Sequence, residues 1–331
     1  MLYGVLGAAH GHVHGFCAEM AAAGHTLAAV WADGTDNAKK LSEKYGAPLL
    51  ETPEDVIACG IEMAGTFAPS FQRIKMILLC EKHGVHVMSD KPLAVDWEAL
   101  KELEGVVARQ KIQISAMFTV RFMPPVRKLY ELIHRGEIGD LISVEILNPH
   151  KLRPETRPDW HFLPEEGGSV AVDLLAHSAD LFNWFTDRQQ IIPVGSGMIK
   201  TILPERTKFF DFASAMVTTS GGVSGYYRVD WHMSEGHWNW GDLRIFCVGT
   251  TGAAEVRGTG DPLTHNVELI VYREKAETVS WELEDAPEIN EVTDFLDRIA
   301  GKPCCITGED VVEACRQTLM LEQAAYRCRR I

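Results

Sequence analysis

The feature that most restricts the fold of this chain is the alternation of short apolar segments with helix-length segments over residues 1–120. Glycine ends two of the helix-like stretches, at Gly46 and Gly84. Strands that alternate with helices at this spacing form a Rossmann-type, doubly wound parallel sheet. The predicted strands are Leu2–Leu6, Thr26–Trp31, Met63–Phe67, His86–Ser89 and Ile112–Ala116. The predicted helices are the stretch that ends at Ala23, Asp36–Tyr45, Phe71–His83 with Ser70 as its cap, and Asp96–Arg109.

After Arg121 this rhythm changes, because strands follow strands. That order predicts an α+β domain with a large open sheet that is mixed or antiparallel. A chain of 331 residues also exceeds the usual size of a single core. We therefore expect a dinucleotide-binding domain over 1–120 and an α/β substrate-binding and oligomerisation domain over 121–331. The predicted strands here are Leu141–Leu147, Phe212–Thr218, Ser224–Asp230, Leu243–Val248 and Val267–Tyr272, and the predicted helices are Pro125–Arg135, Asp173–Phe185, Glu288–Ala300 and Glu309–Arg330.

Charge and composition exclude several classes of protein. The formal net charge of -14 argues against a nucleic-acid partner, whose phosphates require a basic face. No apolar run has the length of a membrane span, and the first residues do not resemble a signal peptide. The eight cysteines contain no CxxC pair, which indicates free thiols in a reducing compartment. These observations predict a cytoplasmic protein without membrane or nucleic-acid partners.

Three alternating histidines, His10, His12 and His14, could be metal ligands on one face of a strand. They lie in and after a glycine loop, and the sequence around them supplies no carboxylate or cysteine ligand set. The sequence therefore predicts no metal site.

The segment Gly7-Ala8-Ala9-His10-Gly11 lies between a predicted strand and a predicted helix. In a Rossmann domain the pyrophosphate of the dinucleotide binds at this place, on backbone N–H groups and the helix N-terminus. The match to GxGxxG is imperfect, because Ala9 holds the second glycine position and His12 the third. A strand-glycine-helix turn is also compatible with an ordinary turn.

A carboxylate that binds the ribose hydroxyls is expected about 20 residues after the loop. Asp33 follows the second strand at about that separation, and no arginine lies close by in the sequence. This pattern predicts NAD as the preferred cofactor, with NADP as the alternative. An aspartate in a turn is the structural alternative for Asp33.

Several further motifs together resemble the Gfo/Idh/MocA family of sugar and polyol oxidoreductases, in the order and spacing of that family. They are Ala68-Pro69-Ser70, Asp90-Lys91-Pro92-Leu93-Ala94, Phe118-Thr119-Val120-Arg121-Phe122, Gly167-Gly168-Ser169, and Asp173 to Asp180 as a D-x-x-x-H-x-x-D helix. The resemblance covers essentially the whole chain. It implies that the cofactor contacts Gly7, Ala9, His10, Gly11, His12, Asp33, Ala68, Pro69, Ser70, Asp90, Lys91, Pro92 and Arg121.

The chain departs from the family pattern at four places. The phosphate loop lacks two glycines, and Ala32 stands where the acidic residue usually falls, one position before Asp33. Asp90 replaces the glutamate of the Glu-Lys-Pro signature, and Gln72 stands where many members have a histidine.

Alcohol oxidation requires a base that removes the hydroxyl proton while hydride leaves the same carbon, and a histidine suits this role near neutral pH. The resemblance implies that His177 is this base and that Asp173 and Lys91 support it. Asp173 and His177 are four residues apart, so a helix places them on one face. Lys91 follows a predicted strand, where a cation can stabilise a developing negative charge. Taken one at a time, each residue also has an ordinary structural explanation.

A basic and aromatic group precedes the predicted helix at 173–185 and is a candidate for substrate binding. In so acidic a chain, such a group can hold an anionic or hydroxyl-rich substrate, and a charged surface loop is the equal alternative. Its members are Lys151, Arg153, Arg157, Trp160 and His161.

The resulting hypothesis is an NAD(P)-dependent oxidoreductase that transfers a hydride between a nicotinamide and a hydroxyl or carbonyl carbon of a sugar, cyclitol or related polyol. The family also leads us to expect a homodimer or homotetramer formed through the C-terminal sheet. Two alternatives stay open: a redox-assisted lyase or hydrolase that recycles its NAD, and a non-catalytic sensor of dinucleotides.

Overall fold

The structure is a computed structural model that describes residues 1–274, 277–280 and 289–330. These residues form two units. The first unit contains Met1–Met117, Leu163–Gly168 and Ile289–Cys315, and the second contains the described residues of Phe118–Phe162, Ser169–Glu288 and Arg316–Ile331. The sequence placed the change of domain near residues 118–125 and assigned all later residues to the second domain. In the structure, two later segments, at 163–168 and 289–315, group with the first unit.

The first unit contains a six-stranded sheet in the order β3-β2-β1-β4-β5-β6, and every neighbouring pair is parallel. The predicted doubly wound parallel sheet is therefore confirmed. The strand order reverses between β1 and β4, and in open α/β sheets ligands bind at the carboxyl ends of the strands beside such a reversal. The strands are β1 (Leu2–Val5), β2 (Thr26–Trp31), β3 (Leu49–Leu50), β4 (Met63–Thr66), β5 (His86–Ser89) and β6 (Ile114–Ala116).

Local capping residues fix several helix ends of this unit. The side chains of Thr35, Thr52 and Asp96 accept backbone N–H bonds at the start of their helices, and Gly46 and Gly84 end theirs in the left-handed conformation. The prediction that Ser70 caps its helix is wrong: Ser70 is the first helical residue, and the capping position belongs to Pro69. The helices are α1 (His12–Ala22), α2 (Asp36–Tyr45), α3 (Pro53–Ala58), α4 (Ser70–His83) and α5 (Trp97–Arg109).

The helices after α5 are distributed over both units. They are α6 (Pro124–His134), α7 (Pro164–Gly167), α8 (Val170–Phe185), α9 (Glu291–Ile299) and α10 (Gly308–Ala324). The described residues include no helix with the length and apolar character needed to cross a membrane.

The second unit contains a nine-stranded mixed sheet in the order β14-β13-β12-β11-β7-β10-β9-β8-β15. Two pairs, β10 with β7 and β15 with β8, are parallel, and the other pairs are antiparallel. The strands are β7 (Leu141–Leu147), β8 (Ile191–Lys200), β9 (Phe212–Thr219), β10 (Ser224–Asp230), β11 (Arg244–Gly249), β12 (Gly252–Arg257), β13 (Glu268–Arg273), β14 (Val279–Ser280) and β15 (Tyr326–Arg329). The predicted open mixed sheet is confirmed.

Helix α8 covers one face of this sheet. Its Phe182 packs edge-on against Tyr227 of β10, with ring centroids 5.7 Å apart, and both side chains are fully buried. Burial alternates along β9 and β11, as it does in a strand with one covered face. Among the described residues, the side chains on the other face of these two strands are more exposed.

The sequence missed several strands of the second unit, among them β8, β12 and β15. Its prediction of one helix over Glu309–Arg330 is wrong beyond Ala324, where the chain leaves α10 and forms β15. Residues 326–329 pair in parallel with β8 from Gly197 to Lys200. The local sequence continues a helical pattern, and pairing with a distant edge strand overrides it.

Candidate functional site

The predicted phosphate loop lies between β1 and α1, against the segment that follows β4. The N–H of His10 donates to the carbonyl of Phe67 at 3.0 Å, and the N–H of Phe67 donates to the carbonyl of Gly7 at 3.1 Å. Gly7 has a φ of 101°, and a Cβ on it would lie 2.6 Å from the Cβ of Ala68. Gly7 is therefore required both for its backbone conformation and for the close approach of the Ala68-Pro69-Ser70 segment.

The start of α1 has the properties of a dinucleotide pyrophosphate site. Its first turn carries no acidic side chain, and no side chain caps it. Gly11, directly before the helix, is exposed, and a Cβ built on it would meet no atom within 4 Å. The partial positive charge of the helix N-terminus is thus open to an anionic group. These residues fit the pyrophosphate of NAD(P).

Asp33 joins the end of β2 to the phosphate loop. One carboxylate oxygen accepts the backbone N–H of Ala8, and the other accepts the N–H and the hydroxyl of Thr35, at 3.0 and 2.6 Å. Asn37 adds a second link, because its amide donates to the carbonyl of Ala8 at 2.9 Å. The structure therefore places Asp33 beside the loop, where it also has a structural role.

Asp90 is the centre of a buried polar network. Its buried carboxylate contacts Nδ1 of His10 at 3.0 Å and Nδ1 of His12 at 2.9 Å. It also accepts the N–H of Lys91 at 2.9 Å and Nη2 of Arg73 at 3.3 Å. Two sequence-predicted segments, the phosphate loop and Asp90-Lys91-Pro92, are brought together by this carboxylate.

Arg73 of α4 is a site residue that sequence reasoning missed. Its guanidinium is buried and donates to the carbonyl of Ala68 and the carbonyl of Pro92, each at 2.9 Å, besides its bond to Asp90. It thereby ties both segments that the sequence predicts to contact the cofactor to one helix, beside the cis Lys91–Pro92 peptide. The only available signal was its position four residues after Pro69 in a predicted helix, which is too weak to select it.

Two pKa values in this network depart from their ordinary range. Burial by itself would raise the pKa of Asp90, but His10, His12 and Arg73 together hold it well below its usual value. Burial lowers the pKa of His10, and this effect exceeds the opposing attraction of Asp90. Near neutral pH the site thus presents an ionised Asp90 and a neutral His10.

Helix α8 presents the predicted acid–base residues in the second unit. The side chain of Ser169 caps the helix by accepting the N–H of Val172 at 3.3 Å. Asp173, partly exposed, and His177, 6% exposed, occupy successive turns of one face. The ring of His177 lies edge-on to Phe118, with centroids 6.1 Å apart. The helix therefore holds this histidine in a buried position beside Phe118.

Arg121 and Asp180 form a buried ion pair in the second unit. The side chains are 0% and 1% exposed, and Nε of Arg121 donates to Asp180 at 3.0 Å while Nη2 binds the other carboxylate oxygen. The guanidinium also lies over the ring of Trp184, 5.0 Å from its centroid. Arg121 thus anchors the segment at 119–122 to α8, and its predicted contact with the cofactor stays a prediction.

The predicted substrate group packs against the segment at 231–240. Lys151 is buried and donates to the carbonyls of Glu235 and His237, and Arg153 pairs with the carboxylate of Glu235. These two cations therefore have structural partners. Trp160 is half-buried, and its ring lies 6.1 Å from that of His161.

Arg157 lies near two aromatic rings, and Arg153 lies over one of them, Trp240, at 5.2 Å. The guanidinium of Arg157 is 4.8 Å from the centroid of Trp231 and 5.2 Å from that of Trp240. Burial lowers the pKa of Arg157, and the charge of Asp173 opposes this shift. His161 packs on Trp231 at 5.3 Å. The sequence did not single out Trp231 and Trp240, because they follow Arg157 by 74 and 83 residues.

Comparisons with known proteins define the class first. Residues 1–118 match the family model described as "Oxidoreductase family, NAD-binding Rossmann fold". Residues 126–255 match the model of the GFO/IDH/MocA C-terminal domain. This chain is thus built from the two domains of an NAD-binding oxidoreductase. It belongs to the Gfo/Idh/MocA family.

Curated relatives are about a quarter identical to this chain over the aligned residues. An uncharacterized oxidoreductase from Synechocystis sp. is 27% identical over 41% of this chain, and the match spans only 36% of that protein. A myo-inositol dehydrogenase from Streptomyces leeuwenhoekii is 25% identical over 71% of this chain and 70% of its own length. The rhizopine catabolism protein MocA from Rhizobium meliloti is 25% identical, with 64% of each chain covered.

Solved structures match over nearly the full length. One from Erwinia carotovora atroseptica SCRI1043, described only as an oxidoreductase, has a TM-score of 0.91 at 26% identity and 99% coverage of both chains. A levoglucosan dehydrogenase in complex with NADH and levoglucosan has a TM-score of 0.82 at 16% identity, with 98% of this chain and 96% of that chain covered. A 3-ketoreductase from Actinomadura kijaniata, in complex with NADP, has a TM-score of 0.81 at 17% identity and 99% coverage of both chains. At these last two identities the likeness concerns the fold.

Proposed function

We propose that this protein is an NAD(P)-dependent dehydrogenase that oxidises or reduces a CH–OH carbon of a sugar, cyclitol or related polyol. The observation that carries the proposal is the pair Asp173 and His177 on one face of α8, in a chain of this oxidoreductase family. The relatives named as a myo-inositol dehydrogenase and a levoglucosan dehydrogenase support this substrate class.

The proposed chemistry assigns one role to each residue. When bound, NAD accepts the hydride from the carbon that is oxidised. His177 removes the proton of the reacting hydroxyl, and Asp173, one turn earlier, orients and stabilises the imidazolium. Lys91 binds the reacting oxygen and stabilises its developing negative charge. The residues proposed to hold the cofactor are Gly7, Ala9, His10, Gly11, His12, Asp33, Ala68, Pro69, Ser70, Asp90, Pro92 and Arg121.

The surroundings of Arg157 favour a hydroxyl-rich substrate. Trp231 and Trp240 offer apolar ring faces to the C–H groups of a sugar, and Arg157 offers N–H donors to its hydroxyls. The interaction of Arg157 with Asp173 connects this group electrostatically to the proposed acid–base pair. We therefore propose that Arg157 and the two tryptophans orient the substrate in the second unit.

A screen of sugars and polyols for NADH or NADPH formation tests this function. With the active substrate, His177→Ala should lower kcat by about 10²–10⁴-fold, the usual contribution of a positioned base, and leave NAD affinity nearly unchanged. Asp173→Asn should have a smaller effect, and Lys91→Ala should lower kcat as well. His134→Ala is the matched control, because His134 pairs with Asp187 outside this group. Near-normal turnover by folded His177→Ala would refute the assignment.

The same screen separates the two alternatives. A redox-assisted lyase or hydrolase forms product without net accumulation of NADH, and a dinucleotide sensor binds NAD without turning over any substrate. The dehydrogenase hypothesis requires that one molecule of NADH forms for each molecule of substrate oxidised.

We propose NAD as the preferred cofactor, because Asp33 would repel the 2′-phosphate of NADP at the end of β2. Calorimetric titration should show that NAD binds more tightly than NADP. Asp33→Ala should reduce this difference in affinity. A clear preference of the wild type for NADP would contradict this proposal.

We further propose that the open face of the second sheet pairs with a second copy of the chain in a homodimer or homotetramer. Met216, Phe246 and Val248 are 50%, 36% and 44% exposed on this face. Apolar side chains in this arrangement are typical of an interface. Light scattering at micromolar concentration should give a multiple of 36.8 kDa, and Phe246→Glu should lower that mass. A monomeric wild type would disprove the proposal.

A further inference from the structure

Asp90 supplies the carboxylate that the sequence around the alternating histidines lacks. One ring nitrogen of His10, one ring nitrogen of His12 and a carboxylate oxygen of Asp90 all lie within 4.8 Å of one another. The carboxylate is fully buried, whereas the two imidazoles are 30% and 38% exposed. The three groups thus form a small polar basin, that is, a surface depression with the carboxylate at its buried end and the two imidazoles on its solvent-exposed side.

This donor set has the chemistry of a transition-metal site. Two imidazole nitrogens and one carboxylate oxygen suit Zn²⁺ and similar ions, whereas Mg²⁺ and Ca²⁺ prefer oxygen ligands only. A tetrahedral Zn²⁺ with bonds of about 2.1 Å sets its ligands about 3.4 Å apart. Nδ1 of His10 lies 3.0 Å from one carboxylate oxygen of Asp90, and Nδ1 of His12 lies 2.9 Å from the other, so both imidazole–carboxylate distances are close to this spacing.

Nδ1 of His10 has two neighbours that require opposite protonation states of this nitrogen. It faces the carboxylate of Asp90 at 3.0 Å and also the N–H of His12 at 3.4 Å. If Nδ1 of His10 carries a proton, it can donate to Asp90 but cannot accept the N–H of His12. If it carries a lone pair instead, it can accept that N–H but repels the carboxylate. A cation bound between His10 and Asp90 removes the repulsion between the lone pair of Nδ1 and the carboxylate, because both groups then face the positive charge.

Surrounding residues hold the carboxylate in a fixed orientation. Arg73 and the N–H of Lys91 both bind Asp90 from the protein side. Such hydrogen bonds to a ligating carboxylate are a usual part of metal sites. They leave the exposed side of the basin, next to the start of α1, as the place for a fourth ligand.

We infer that His10, His12 and Asp90 bind a divalent transition-metal ion, Zn²⁺ by its ligand chemistry, whose fourth position receives a phosphate oxygen of the dinucleotide. The second part rests on the function proposed above. Ala9 and His12 occupy two glycine positions of the usual phosphate loop, which weakens the backbone cradle for the pyrophosphate. A divalent ion at the same loop compensates for that loss with direct charge attraction.

Zinc titration of the tag-free, chelator-treated full-length protein tests the site without any cofactor. Calorimetry should show one Zn²⁺ per chain, and Co²⁺ should give the visible absorption of a tetrahedral site. His10→Ala and His12→Ala should each weaken Zn²⁺ binding by at least about 10–100-fold. His14→Ala is the matched control, since it removes the next histidine of the series, which binds Asn37 instead. Thermal unfolding of the metal-free proteins shows whether each variant is folded.

The absence of stoichiometric Zn²⁺ binding by the wild type would overturn the metal site, whatever the affinity for NAD. Equal binding by His12→Ala and His14→Ala would overturn the ligand assignment. The role in cofactor binding is tested by NAD titration with and without Zn²⁺, where the ion should tighten NAD binding about 10-fold or more. An unchanged affinity overturns that role. Failure of NAD to bind under either condition instead refutes the proposed function, while the zinc titration still decides the metal site.

Discussion

The buried pair Arg121–Asp180 gives the sharpest test of how the second unit is stabilised. Both side chains are almost completely excluded from solvent, and two nitrogens of the guanidinium bind the two carboxylate oxygens. Arg121→Met or Asp180→Leu each leaves one charge buried without its counterion. Such a loss costs about 3–5 kcal/mol, far more than the loss of an exposed pair. We expect each single variant to lower the free energy of unfolding by this amount.

The double variant Arg121→Met/Asp180→Leu should be more stable than either single variant, because it leaves no uncompensated buried charge. The coupling energy from the double-mutant cycle should therefore be about 3 kcal/mol or more. Urea denaturation, followed by fluorescence of Trp184 and the other tryptophans, measures all four proteins. Arg135→Met is the control, since Arg135 forms an exposed pair with Glu131 at 3.8 Å and should cost less than about 1 kcal/mol. Additive effects of the two buried substitutions would refute the reasoning.

Three further predictions follow from other residues. Arg73→Ala removes the hydrogen-bond donors of the Ala68 and Pro92 carbonyls and of Asp90. It should lower the free energy of unfolding in urea by about 3–5 kcal/mol and weaken NAD binding measured by calorimetry. Wild-type values for both would contradict the positioning role of Arg73. Burial and the charge of Glu291 raise the pKa of Glu19 from 4.5 to about 7, so the free energy of unfolding should fall as pH rises from about 4.5 to about 7. In urea denaturation, Glu19→Gln should remove this fall. The free energy of unfolding of the variant, relative to the wild type, should therefore be about 2 kcal/mol higher at pH 8 than at pH 5, a value reduced for the partial exposure of Glu19. An unchanged pH profile would disprove this prediction. Arg157→Ala should raise KM for the polyol about 10-fold with unchanged NAD affinity, and an unchanged KM would exclude Arg157 from the substrate site.

Local patterns in the sequence determined the parts of the fold that depend on local interactions. Strand β2 and helix α2 have the predicted bounds, because apolar spacing, the capping residue Thr35 and the left-handed Gly46 all act within a few residues. The glycine loop was predictable for the same reason, since the φ of Gly7 and the following helix start are local features. The i, i+4 spacing of Asp173 and His177 likewise follows from helix geometry alone.

Only the tertiary structure decided which distant residues meet. Asp90 lies 78 residues after His12, and no local pattern shows that one buried carboxylate contacts both histidines of the phosphate loop. The contacts of Arg73 and the Arg121–Asp180 ion pair could not be predicted for the same reason, because a buried charge is stabilised by partners that are far away in sequence. Strand β15 forms only by pairing with β8, about 130 residues earlier in the chain, so its residues carry a helical pattern without forming a helix. Short-range preferences fix helices and turns, whereas strand pairing and buried charge pairs depend on contacts that exist only once the chain has folded.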